Sequence, residues 1–82
     1  GKAEEAEELY RKSLKMSENL LGKKHPDVAL TLYNLASLLQ VSGRKRDAIR
    51  LYERSLKIFE KVLKPKHPKI LLVKKALVAA QA

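Results

Sequence analysis

The sequence predicts an all-α fold, an α-α superhelix in which four antiparallel helices stack against one another. Four segments carry apolar residues at spacings of three and four, the spacing of one helix face. Glycine and proline number three each and stand only near the segment boundaries, and no segment has the alternation of a strand. The two halves of the chain also repeat each other, and its 82 residues form one small domain or a piece of a larger one.

The first helix is expected over about residues 2–21. Four glutamates between positions 4 and 8 crowd its first turns, where negative charge is favourable because a helix amino terminus is partially positive. Gly22 favours a stop, since glycine readily takes the left-handed conformation that ends many helices. The small and apolar stripe of this helix consists of Ala6, Leu9, Tyr10, Ser13, Leu14 and Leu21.

The second helix is expected over about residues 27–41. Pro26 cannot continue a preceding helix, but it suits the first turn of a new one. Ser42 and Gly43 break the pattern at its end. Its stripe consists of Val28, Leu32, Leu35, Ala36 and Leu39.

The third helix is expected over about residues 44–63 and the fourth over about residues 68–81, with Pro65 and Pro68 on either side of the loop between them. Small residues within these stripes let neighbouring helices approach closely. The third stripe consists of Ala48, Leu51, Tyr52, Ser55, Leu56, Phe59 and Leu63.

The repeat appears when the sequence is shifted against itself by 42 residues. Fourteen of the forty resulting pairs are identical, where chance gives roughly two or three. The identities come in blocks, as in LYRKSLK against LYERSLK and KHP against KHP. Two copies of one helical hairpin unit are therefore expected to stack side by side.

The large and small residues of the central unit resemble the tetratricopeptide repeat. The family alternates large and small residues in a first-type helix, then has a glycine, then a second-type helix with alanine, an aromatic and another small residue. The long period and the segment LGKKHPDVALTLYNLASLL resemble the kinesin-light-chain and nephrocystin type. The matching positions are Leu32, Leu35, Ala36, Leu39, Gly43, Ala48, Tyr52 and Ser55.

By this resemblance, one complete repeat spans about residues 26–63 and half-repeats flank it within a single fragment, 1–82. The chain departs from the family at Glu60, where a closing proline is common. The last helix departs further, because Lys74, Val78 and Gln81 stand where a large residue, a small residue and an aromatic are expected.

The resemblance implies a non-catalytic adaptor or scaffold, expected in the cytoplasm, that binds peptide segments in a groove lined by first-type helices. Asn34 stands where the family often contacts a peptide backbone, and an amide donates and accepts at once. A lysine in the groove wall favours acidic peptides through charge-assisted hydrogen bonds. The candidate peptide-binding residues are Leu30, Tyr33, Asn34, Ser37, Gln40 and Lys75.

Composition argues against catalysis and against a cofactor. Cysteine is absent, which excludes a disulfide scaffold, a thiolate zinc site and a cysteine nucleophile. Neither a phosphate-binding glycine loop nor a metalloprotease motif occurs. His25 and His67 are expected about 10 Å apart, too far for zinc–nitrogen bonds of about 2 Å, so both are interpreted as residues that start helices.

The net charge of +9 arises in residues 44–82, which hold twelve basic and three acidic side chains. Such asymmetry favours acidic partners. The basic residues of the third helix raise the alternative of a nucleic-acid or anionic-lipid patch, but exposed aromatics between them are lacking and the nucleic-acid hypothesis is disfavoured. These bases are Arg44, Lys45, Arg46, Arg50, Arg54, Lys57 and Lys61.

The last helix raises the alternative of a structural, self-associating element. KILLVKKALVAA is apolar nearly all round, and such a helix expects cover on two sides. We therefore expect homo-oligomers, or a longer array from which this chain is a segment. No apolar run reaches the roughly 18 residues that membrane insertion requires.

Overall fold

The computed structural model describes residues 1–82 and confirms the all-α fold class. The chain forms four helices and no strand. The first packs against the second, the second against the third, and the third against the fourth. The helices are α1 (Lys2–Leu21), α2 (Pro26–Val41), α3 (Lys45–Val62) and α4 (Pro68–Gln81).

The helix boundaries differ from the expected ones only where a residue caps the end. α2 begins at Pro26, one residue earlier than expected, because His25 is its N-cap. α3 is one residue shorter at each end, since Arg44 and Leu63 are its caps. Both residues lie outside the helical backbone conformation and so end the run of internal hydrogen bonds.

The two histidines perform the same local task. The Nδ1 atom of His25 accepts a hydrogen bond from the backbone N–H of Asp27 at 3.0 Å, and that of His67 accepts from Lys69 at 3.1 Å. Each bond satisfies a donor that the first turn of a helix otherwise leaves free. The interpretation of both histidines as helix-starting residues is confirmed.

The core lies between α2, α3 and α4, and α1 contributes no buried residue to it. The most extensive packing joins α2 to α3, where the Ser55 hydroxyl donates to the Ala29 carbonyl at 2.7 Å. The small side chains of both residues permit this contact. The thirteen buried apolar residues are Val28, Ala29, Leu32, Leu35, Ala36, Leu39, Ala48, Tyr52, Ile58, Phe59, Ile70, Val73 and Ala80.

The outer helices bury less of their stripes than the sequence suggests. In α1 the side chains of Leu9 and Ser13 are exposed, because no helix covers that side. In α4 only one side meets α3, so Leu71, Leu72 and Val78 remain exposed. A stripe is buried only where a neighbouring helix faces it.

Two ion pairs join α1 to α3. Glu7 accepts from Arg44 at 2.8 and 3.0 Å, and Glu18 accepts from Arg54 further along both helices. The hydrogen bond from Arg11, supported by the bond and charge of Arg44, lowers the pKa of Glu7. None of the helices is long and apolar enough to cross a membrane.

Candidate peptide-binding groove

α2 and α4 contact each other as well as α3, so these two helices share one face of the molecule. Leu30, Asn34 and Ser37 follow one another at intervals of four and three residues and form a single row along α2. We use the name candidate groove for the face of α2 and α4 that is predicted to carry the binding residues Leu30, Tyr33, Asn34, Ser37, Gln40 and Lys75.

Tyr52 of α3 organises the polar side chains of this face. Its ring is buried, with 1% of the residue exposed, while its hydroxyl reaches two residues of α2. The hydroxyl donates to the Gln40 Oε1 atom at 2.9 Å and therefore accepts from the Ser37 hydroxyl at 3.0 Å. The Tyr52 hydroxyl thus holds the side chains of Ser37 and Gln40 in place. The amide nitrogen of Gln40 makes no hydrogen bond within the chain and can still donate to a ligand.

Tyr33 packs against the same residue. The ring centroids of Tyr33 and Tyr52 lie 5.7 Å apart with an angle of 54° between the planes. Tilted pairs at this distance contribute about 0.5–1.5 kcal/mol beyond area burial. Tyr33 is half-buried and packs against the core, and these contacts restrict its side chain.

Asn34 is the predicted residue with the most available hydrogen-bonding capacity. Its side chain is half-buried but makes no hydrogen bond within the chain, whereas those of Ser37 and Gln40 do. A half-buried amide without an internal partner can donate to and accept from a bound backbone. Leu30, 39% exposed, lies one turn before it and adds an apolar surface.

Lys75 stands apart from the other candidates. It lies exposed on α4, and no carboxylate comes within ion-pair distance of it. The structure therefore brings Tyr33, Ser37 and Gln40 together on the Tyr52 side chain, and it leaves Lys75 as a separate, exposed positive charge on α4. Five cavities elsewhere on the molecule are lined by other residues.

Sequence reasoning treated Tyr52 as a packing residue and missed its second role. The signal was present, because a tyrosine on an otherwise apolar stripe carries a hydroxyl that needs a partner when buried. Serine and glutamine on the preceding helix, Ser37 and Gln40, were the available partners. Their pairing depends on the packing of α2 against α3, which helical periodicity alone does not specify.

The comparisons with known proteins agree with this architecture. The family model described as tetratricopeptide repeat matches residues 1–61. This range covers α1, α2 and all but the last residue of α3, and leaves α4 outside. No curated protein is significantly similar to the chain.

Proposed function

Because the chain belongs to the tetratricopeptide repeat family, whose members generally mediate protein–protein interaction, we propose that it binds acidic peptide segments in the candidate groove without catalysing a reaction. The repeat length in the sequence and the segment LGKKHPDVALTLYNLASLL support placing it with the kinesin-light-chain and nephrocystin type. In this role it is an adaptor or scaffold of the cytoplasm.

The half-buried and unpartnered amide of Asn34 is the observation that carries this proposal. An extended peptide presents N–H and C=O groups along its length, and an amide satisfies one of each. The neighbouring Tyr33 and Ser37 are already held by Tyr52, so binding costs little additional side-chain ordering there.

The preference for acidic peptides rests on the charge of α4. This helix carries Lys69, Lys74 and Lys75 and no acidic residue, and all three lysines are exposed without an ion pair. A peptide carboxylate that meets Lys75 gains a charge-assisted hydrogen bond.

The test is selection from a peptide library, followed by titration of a selected peptide into variants of the chain. Asn34→Ala is expected to weaken binding about thirtyfold, because it removes two hydrogen bonds of roughly 1 kcal/mol each. Asn19→Ala is the matched control, since Asn19 is an exposed amide on α1 outside the groove. Equal affinities of the two variants, or selection of peptides without acidic residues, would contradict the proposal.

Exposed apolar surface at both ends of the stack supports a second candidate function, self-association. α1 exposes Leu9, Met16 and Leu20, of which Leu20 is 78% exposed, and α4 exposes Leu71 and Val78. In the 42-residue offset, α1 corresponds to α3 and α4 to α2. We infer that α4 of one copy packs on α1 of the next copy as α2 packs on α3, which gives a head-to-tail arrangement.

Sedimentation at rising protein concentration tests this arrangement. Met16→Glu is expected to keep the chain monomeric, because it places a charge in the α1 face that the next copy would cover. Val41→Glu is the control, since Val41 is 87% exposed at the end of α2 and lies on neither end face. A wild-type chain that stays monomeric at every concentration would eliminate this second function and leave peptide binding unaffected.

A further inference from the structure

A basic cavity of about 200 Å³ lies between the end of α1 and the outer side of α3, away from the candidate groove. We propose that this cavity binds a compact anion carrying at least two phosphate groups. Five of its six lining residues are basic and none is acidic. They are Lys23, Lys24, Arg54, Lys57 and Lys61, and the sixth is Ile58.

Two local features of the chain assemble this cavity. On one side, α1 ends at Leu21 and is capped by Gly22, whose φ of 88° belongs to the left-handed region, and Lys23 and Lys24 of the following turn line the cavity. On the other side, Arg54, Lys57 and Lys61 recur at intervals of three and four residues and form one row along α3. Loop and helix therefore present positive charge to the same space.

The charges in the cavity are largely uncompensated. Arg54 is held by its ion pair with Glu18 of α1. The four lysines make no ion pair, in contrast to Lys12, which meets Glu8 at 3.6 Å. Five positive charges less the one negative charge of Glu18 leave +4 around a single small space.

The net charge of +4 indicates a ligand with about four negative charges. One phosphate monoester carries about −1.5 to −2, so two of them balance +4, whereas one carboxylate does not. Lysine is an effective phosphate binder because its ammonium is a compact charge with three donors. Ile58 is 6% exposed and offers no oxygen that would compete for the lysines. The five basic side chains are gathered around one depression, which favours a compact anion over a polymer.

Such an anion comes from two sources, a soluble polyphosphate or the phosphorylated headgroup of a membrane lipid. The chemistry that the cavity recognises is the same for both. Soluble probes and vesicles distinguish them experimentally.

The soluble arm of the experiment is a titration of inositol hexakisphosphate at physiological salt, followed by backbone amide NMR shifts. The largest shifts are expected at the cavity residues on the loop and on α3. The double variant Lys57→Ala/Lys61→Ala is expected to bind about tenfold more weakly or worse, because it removes two charge-assisted contacts. Both side chains are exposed, so the fold should be retained.

The matched control is Lys2→Ala/Lys15→Ala, which removes the same charge from two exposed lysines of α1 that make no ion pair. It should change affinity for inositol hexakisphosphate by less than about threefold, because these lysines do not line the cavity. Equal weakening by both double variants would show that only net charge matters and would overturn the proposal. Absence of saturable binding by the wild-type chain would overturn it as well.

The membrane arm uses phosphatidylcholine vesicles that contain phosphatidylinositol bisphosphate, against vesicles of equal surface charge made with phosphatidylserine. Binding to the bisphosphate vesicles alone, lost in Lys57→Ala/Lys61→Ala, supports the site and identifies a lipid source. Binding of the soluble probe alone supports it and identifies a free anion. Tighter binding of single-stranded DNA, weakened equally in both double variants, would replace the proposed site by a diffuse polymer surface.

Discussion

α1 and α3 share much of their sequence, since the 42-residue offset superposes Ala6 on Ala48, Tyr10 on Tyr52 and Ser13 on Ser55. Their surroundings differ completely: α3 buries five residues and α1 buries none. α3 packs against α2 on one side and α4 on the other, whereas α1 packs against α2 alone and meets α3 only through two ion pairs. The difference shows that the place of a helix in the stack, and not residue type alone, determines whether a side chain is buried.

The strongest test of this comparison replaces the shared tyrosine in each helix. Tyr52→Ala is expected to lower the free energy of unfolding by about 3–5 kcal/mol, because it empties a fully buried site. Tyr10→Ala should lower it by about 1 kcal/mol, since Tyr10 is only half-buried. Urea denaturation followed by circular dichroism measures both values.

The stability of so small a domain is limited, so the Tyr52→Ala variant could be too unstable to fold. Tyr52→Phe then provides the measurement, because it removes only the hydroxyl that Ser37 and Gln40 bond and should cost about 1 kcal/mol. Equal losses for Tyr10→Ala and Tyr52→Ala would mean that a partner covers the exposed side of α1 in solution.

A smaller effect is expected from enlarging the shared serine. Ser55→Leu should destabilise the chain by about 1–3 kcal/mol, because Ser55 is fully buried and its hydroxyl lies 2.7 Å from the Ala29 carbonyl. Ser13→Leu should change stability by less than about 0.5 kcal/mol, since Ser13 is exposed on α1. Thermal unfolding of dilute samples gives the two values side by side. If Ser13→Leu proves the more damaging substitution, the assignment of the α1 face as open is wrong.

The smallest effect concerns a position where the two helices differ, Glu7 in α1 against Ile49 in α3. The hydrogen bond from Arg11 and the contact with Arg44 lower the pKa of Glu7 from its ordinary value of 4.5. The stability that this carboxylate contributes is therefore present above pH 4.5 and lost as the pH falls through its lowered value. Urea midpoints between pH 7 and pH 3 should fall more in the wild-type chain than in Glu7→Gln. A parallel decline of both proteins would show that the contact adds no pH-dependent stability.

The local features of the fold were predictable from the sequence, because they depend on residues close together in the chain. His25 with Pro26, and His67 with Pro68, start helices through bonds that span two residues. The positive φ of Gly22 is likewise a local property. For the candidate groove, the sequence predicted only which residues share a face of α2. It did not predict the hydrogen bonds that join Ser37 and Gln40 of α2 to Tyr52 of α3.

The parts that escaped prediction depend on long-range packing. Tyr52 bonds Ser37 and Gln40, which lie fifteen and twelve residues earlier, because α3 folds back along α2. The basic cavity also depends on long-range packing. It brings Lys23 close to Lys61 because the end of α1 lies beside α3. Neither contact follows from helical periodicity, which orders residues within one helix and carries no information about the next.

The sequence by itself determined where the helices begin and end and which residues share a face, because backbone hydrogen bonds and caps act over about four residues. The tertiary structure alone decided which of two nearly identical stripes is buried. Burial requires a neighbour, and only the stack gives α3 a helix on each side while leaving α1 with one.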